Sequence, residues 1–157
     1  MKSFDRIFGS GPIGLIISLA LFFLVRFMTN YINTPRIFEE NNNIRILLFA
    51  GLTLITIVLI IWSIKSLNPQ DRGVKLITTG MFKYFRHPLY AAFLSVFNFG
   101  LAVFMNNWIY IIWASILHPV WHLLVMKEEK MLKEVFPNDY EEYCNRTGRF
   151  FPRLKIK

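Results

Sequence analysis

The longest uncharged stretch of the chain covers residues 88–126, without a single Asp, Glu, Lys or Arg. Such a run is too long for one helix and suits two membrane-crossing helices of about 20 residues each. Hydrocarbon offers no partner to exposed backbone groups, so the chain must cross as helices and reverse at a tight turn. Asn106-Asn107 is the expected turn, which predicts spans at 88–105 and 108–126.

Two more spans are predicted before this hairpin. Uncharged runs at 7–25 and 46–64 are each long enough to cross once, giving spans at about 7–28 and 45–64. The first run has no small-residue cleavage site behind a short apolar core, which favours a retained span over a signal peptide. With 54% hydrophobic and 18% charged residues, the expected fold is an all-α integral membrane bundle of four helices. We expect one domain over 1–157, with a C-terminal helical extension.

The distribution of Lys and Arg predicts the orientation, because cytosolic loops carry the excess. The connection at 65–88 holds five such residues and the segment from Lys127 onward holds eight, whereas the Asn106-Asn107 hairpin holds none. Both termini are therefore expected to be cytoplasmic, in the inner membrane of a prokaryote. The net charge of +8 flanks the spans, which favours membrane lipids over nucleic acid as the partner.

Two cytosolic segments, 66–88 and 127–157, are left to form a site. The first contains Asn68-Pro69 and two glycines, which predicts mostly irregular backbone. In the second, the helix of the fourth span should continue until Pro137. Asn138 followed by Glu141 resembles a capping box, which predicts the start of a short helix there.

The sequence "YFRHPLY" sets Arg86 and His87 immediately before the third span. Pro88 suits the first turn of a helix, so both side chains should lie at its mouth. Alone, the motif fits an arginine that binds lipid phosphate beside a surface histidine. The hairpin, however, returns Glu128 and Glu129 to the same level. Together these groups can bind a small zwitterion, its cation at the carboxylates and its carboxylate at the guanidinium.

Two histidines, His118 and His122, lie four residues apart within the fourth span. Ionisable groups inside a membrane are candidates for a functional role. A metal site would need a third ligand, and no HExxH pattern is present, so no metal is expected. We predict that both face the bundle and line a substrate cavity, widened where Pro119 kinks the helix.

Three motifs in this order, "LITTGMFKYFRHPLY", "EEKMLKEVFPNDYEEY" and "RFFP", resemble the isoprenylcysteine carboxyl methyltransferase and phospholipid methyltransferase group of integral membrane enzymes. The resemblance begins at Leu76. It implies S-adenosyl-L-methionine bound at the cytosolic face. The implied reaction is methyl transfer to a lipophilic acceptor: a prenylcysteine carboxylate, a lipid amine or a thiol.

The resemblance also implies site residues. Cofactor contacts would fall on Val74, Lys75, Leu76, Ile77, Phe82, His87, Pro88, Leu89, Tyr90 and Glu128. The expected catalytic residues are Arg86, His87 and Glu129, with His87 or Glu129 accepting the proton of an amine acceptor.

The chain departs from the family pattern at two positions. Phe82 stands where the family usually has an aromatic hydroxyl. Leu124 stands where the carboxyl methyltransferases have a substrate-binding arginine, which weighs against a prenylcysteine carboxylate.

Two alternatives stay open. Sterol reductases carry a similar Arg-His-Pro-aromatic element and paired-acid tail that bind NADPH, but their chains are usually longer. A dinucleotide would also need more polar loop than 66–88 offers. The other alternative is a lipid-binding membrane protein without catalysis. Cofactor binding discriminates between all three.

Overall fold

The computed structural model describes residues 9–39, 42–67 and 74–153. Its four helices that are long and apolar enough to cross a membrane are α1 Gly11–Met28, α2 Asn42–Lys65, α3 Pro88–Met105 and α4 Trp108–Val135. A shorter helix, α5 Pro137–Arg146, follows α4. The predicted all-α bundle of four spans is confirmed. Part of each site segment lies outside the described residues: 68–73, which contains the Asn68-Pro69 turn, and 154–157.

The four long helices pack in the order α1, α4, α3, α2. In the most apolar windows of α1 and α2 only 11% and 6% of residues are buried, against 39% and 33% in α3 and α4. The outward faces of α1 and α2 are rich in large apolar side chains that acyl chains can cover. The protein core therefore lies around α3 and α4.

Small residues bring α1 close to α4. A Cβ atom at Gly14 would lie 2.5 Å from the ring of Trp121, so only glycine allows this approach. One turn further along, Trp121 Nε1 donates a hydrogen bond of 2.9 Å to the buried Ser18 hydroxyl. Small and hydroxyl side chains are the usual means of close packing between membrane helices. The contact holds the start of α1 beside the second half of α4.

The helical hairpin reverses at the predicted position. Asn106 ends α3 in a left-handed conformation with φ of 54°, which asparagine tolerates better than most residues. The side chain of Asn107 caps α4 by accepting a hydrogen bond of 3.1 Å from Ile109 N. The two asparagines therefore set the antiparallel pairing of α3 and α4.

Two local features differ from the sequence interpretation. The capping box was wrong: α5 begins at Pro137 with Phe136 before it, and Asn138 lies inside the first turn. Proline is favoured at the first helical position because its missing N–H leaves no hydrogen bond unmade there. In α3 a π-helical stretch, Phe93–Phe97, follows the first α-helical turn. Hydropathy does not distinguish a π-helix from an α-helix. Such wider turns often lie at functional sites.

Candidate active site

At one end of the bundle, α3 begins, and α4 passes from its apolar part into its charged part, which starts at Lys127. The start of α3 contributes Arg86, His87 and Tyr90, and α4 contributes Glu128 and Glu129. Because the two helices are antiparallel neighbours, their side chains meet at this level. The structure thus brings together the charged residues that the sequence placed at the mouth of the third span.

Glu129 is enclosed by positive partners. Its Oε1 lies 3.0 Å from Arg86 Nε and 2.8 Å from Arg149 Nε, and a second contact joins Oε2 to Arg149 Nη2. His87 Nε2 is 3.3 Å from the same Oε1. The side chains of Glu129, Arg86 and Arg149 are only 12%, 13% and 15% exposed. Such bidentate, partly desolvated pairs are strong, so Glu129 anchors both arginines.

Arg149 is the main site residue that sequence reasoning missed. The tail after α5 returns to the start of α3, where Arg86 N donates to Gly148 O at 2.8 Å and His87 N to Arg149 O at 3.2 Å. The turn needs glycine, because a Cβ atom at Gly148 would collide with Phe151 O. The closing "RFFP" motif contains Arg149, and it was the only signal available in the sequence.

Glu128 lies beside Glu129 but has different partners. Tyr90 donates its hydroxyl to Oε1 at 3.2 Å, Ser10 N donates to the same oxygen, and His87 Nδ1 is 3.7 Å from Oε2. Within the described ranges no arginine or lysine pairs with it. In the described structure its negative charge is thus not balanced by a guanidinium or ammonium group.

The start of α1 forms a wall over Glu128. Gly9 has φ of +53°, and a Cβ atom there would lie 2.5 Å from Glu128 Oε1. Ser10 Oγ also donates to Leu124 O at 2.9 Å. The amino end of a helix carries partial positive charge, which stabilises a carboxylate placed there. No sequence pattern had linked this segment to the site.

Aromatic rings and the C-terminal helix complete the surroundings. The rings of His87 and Tyr90 are nearly parallel, with an interplanar angle of 9° and centroids 5.6 Å apart. Tyr143 of α5 donates its hydroxyl to Phe82 O at 2.6 Å. Burial raises the pKa of Tyr143, so this donor keeps its proton. The bond ties the 3-10 turn Gly80–Lys83 to α5.

The remaining expected cofactor residues lie in different surroundings. Pro88 is buried, Leu89, Leu76 and Ile77 are partly buried, and Lys75 is exposed. Val74 is 70% exposed. The hydrogen bonds that join the charged side chains of the site include neither Leu76 nor Ile77.

The two histidines of α4 lie along a groove of about 480 Å³ that leads away from Arg149. It is lined by His118, Pro119, His122, Leu123, Arg149, Phe150 and Phe151. Arg149 Nη1 lies 2.6 Å from each ring nitrogen of His122, which is exposed. The His118 ring stacks on Phe151 with centroids 5.1 Å apart. No group of three or more potential metal ligands occurs in the part of the chain that the structure describes.

The fold and the site define a polytopic helical membrane protein with a polar, charge-rich site at one end of its spans. The chain belongs to the phospholipid methyltransferase family, whose model matches residues 44–139, more than half of its length. The resemblance found from the motifs is thereby confirmed.

The chain is also similar to the nickel-cobalt-cadmium resistance protein NccN of Alcaligenes xylosoxydans xylosoxydans. The two are 30% identical over 86 residues, which make up 54% of this chain and 39% of that protein. The chain thus matches less than half the length of this relative.

Proposed function

We propose that the protein transfers a methyl group from S-adenosylmethionine to a lipophilic acceptor at the membrane face. The observation that carries this proposal is the difference between the two glutamates: Glu129 is paired with two arginines, whereas Glu128 pairs with no arginine or lysine among the described residues. A ligand with both an amino acid group and a sulfonium suits this arrangement. Glu128 would hold its cationic part, and Arg86 its carboxylate.

In the proposed reaction the cofactor, and not the protein, supplies the chemical reactivity. Bound S-adenosylmethionine supplies an electrophilic methyl group, and the displacement needs no protein nucleophile. The residues of the site have to position the reactants and exclude water. The nearly parallel His87 and Tyr90 rings give the site a flat wall, and Phe150, only 5% exposed, closes it from the tail side.

His87 is the best placed group for handling a proton. Its two ring nitrogens face the two carboxylates, Nε2 at 3.3 Å from Glu129 and Nδ1 at 3.7 Å from Glu128. An imidazole in this position can accept a proton from an amine acceptor and share it with either carboxylate. A carboxylate or thiolate acceptor would need no such step.

Calorimetry of the detergent-purified protein tests the cofactor. S-adenosylhomocysteine should bind, and Glu128→Gln should weaken it roughly tenfold to a hundredfold, the cost of one charge-assisted contact. Glu134→Gln, an exposed residue of the same helix, is the matched control and should bind like the parent. Binding of NADPH instead would favour the reductase alternative. If neither ligand bound, the lipid-binding alternative would stand.

The site is proposed to face the cytosol, from the positive charges around it. In a Cys144→Ser background, Lys83→Cys should react with an impermeant thiol reagent only from the cytosolic side. Tyr31→Cys, 74% exposed at the other end of the spans, should react only from outside. Labelling of both from one side would contradict the four spans, and the reverse pattern would invert the orientation.

A further inference from the structure

The opposite end of the bundle holds a second, larger cavity. α1 and α3 end there, α2 and α4 begin there, and the connection 29–39 passes over it. The cavity is an open bowl of about 870 Å³. Its charged lining residues are three arginines, Arg26, Arg36 and Arg45, and one acid, Glu39. The described lining therefore carries an excess of positive charge.

Neutral acceptors hold two of these arginines, Arg26 and Arg45, in place. Arg26 Nη1 donates to Thr29 Oγ1 at 3.3 Å and to Asn30 Oδ1 at 3.2 Å. Arg45 donates to the Phe104 carbonyl at 3.0 Å from Nη1, and to Asn42 from Nη2. Among the described residues, none of the three arginines of the bowl forms an ion pair with a carboxylate. Arg26 and Arg45 are therefore restrained in position, while no described carboxylate pairs with any of the three charges.

The connection over the bowl is fixed to the hairpin below it. Asn106 accepts a hydrogen bond of 2.8 Å from Phe38 N and returns one of 3.0 Å to Phe38 O. Asn107 Nδ2 donates to Thr34 O at 3.3 Å. The bowl is thus a built feature, in which both asparagines of the turn bind the chain that covers it.

Tyr110 gives independent support for a ligand. It lines the bowl and is 2% exposed, and its hydroxyl has no hydrogen-bond partner in the described structure. The Thr34 hydroxyl, also at the lining, is buried and unpartnered as well. A buried hydroxyl without a hydrogen-bond partner is destabilising, so such groups usually have one. Guanidinium and hydroxyl donors around one space suit an anion.

We propose that the bowl binds a phosphate group, and that its source is the headgroup of an anionic lipid in the leaflet opposite the methyl-transfer site. The bowl is formed by the ends of the spans, where headgroups lie. Arginine favours phosphate through paired hydrogen bonds. The excess positive charge disfavours the ammonium group of a zwitterionic headgroup.

Native mass spectrometry from nonionic detergent can test this site. Phosphatidylglycerol and phosphatidylcholine would be titrated separately, and inorganic phosphate would be added as a competitor. Phosphatidylglycerol should bind at least tenfold more tightly than phosphatidylcholine. Arg36→Gln removes a guanidinium that forms no hydrogen bond or ion pair with another described residue, and it should weaken phosphatidylglycerol binding about tenfold. Arg146→Gln, the same change in α5 at the other end of the spans, should bind like the parent.

Tyr110→Phe keeps the test decisive if Arg36→Gln folds poorly. It retains the ring that packs on Phe22 and removes only the hydroxyl. It should bind phosphatidylglycerol several-fold more weakly with no loss of thermal stability. Arginine-dependent binding of inorganic phosphate without lipid would support the anion site and assign it to free phosphate. Equal phosphatidylglycerol binding by the parent, Arg36→Gln and Tyr110→Phe would overturn the proposal.

Discussion

Glu129→Gln is expected to lower the free energy of unfolding by about 3 kcal/mol, because two partly buried arginines would lose their shared carboxylate. Glutamine cannot neutralise either guanidinium, and of the two terminal atoms of its side chain only the oxygen accepts hydrogen bonds. Arg149 would then release the tail from the start of α3. Methyl transfer should fall at least about a hundredfold, since His87 loses the partner of its Nε2.

The control is Glu142→Gln in α5. Glu142 forms a salt bridge of 3.2 Å with Arg146, but the two side chains are 75% and 52% exposed. Exposed pairs contribute little, so this variant should differ from the parent by less than about 0.5 kcal/mol. Thermal unfolding in detergent measures both, and activity is compared at a temperature where both are folded. Equal unfolding temperatures for the two variants would show that Glu129 does not hold the tail.

Most of the fold follows from a single property of the sequence. Charges are absent from four long stretches, and a bilayer leaves such stretches no structure other than a helix. The position of the hairpin followed from Asn106-Asn107, since few other residues in 88–126 favour a turn. The juxtaposition of Arg86 with Glu129 was then a geometric consequence. It depended on the antiparallel return of α4 and not on any property of the two motifs.

The parts that could not be predicted come from chain ends that fold back. Arg149 reaches Glu129 through the backbone pairing of Gly148 with Arg86, and nothing in a one-dimensional pattern records that pairing. Ser10 reaches Glu128 because Gly14 lets α1 approach Trp121, a contact set by packing. The sequence predicted two glutamates in one site. The one-dimensional pattern did not show that Glu129 would pair with two arginines and Glu128 with none among the described residues.

Under the proposed function, the groove beside α4 offers an acceptor a route to this site. Its lining includes Arg149, which contacts Glu129, and apolar residues such as Leu123 and Phe151. Leu123 and Phe151 are 68% and 59% exposed, so their faces are open to acyl chains. A lipophilic acceptor can therefore lie in the groove with its reactive group toward Arg149. Leu124 provides no arginine at the expected position, while Arg149 brings a guanidinium from the tail.

Apolar length of the acceptor should consequently govern its apparent affinity. Each methylene buried in the groove contributes about 0.8 kcal/mol at most, so five added carbons should lower the apparent KM by up to several hundredfold. A radiolabelled methyl-transfer assay with short- and long-chain amines and thioethers measures this dependence. Leu123→Ala should reduce this dependence on acceptor length. Leu19→Ala, on the outward face of α1 and 47% exposed, should leave the dependence unchanged.

Equal rates for water-soluble and long-chain acceptors at equal low concentration would refute a membrane-fed site. Strict dependence on farnesylcysteine would show that Leu124 does not exclude a prenylcysteine carboxylate.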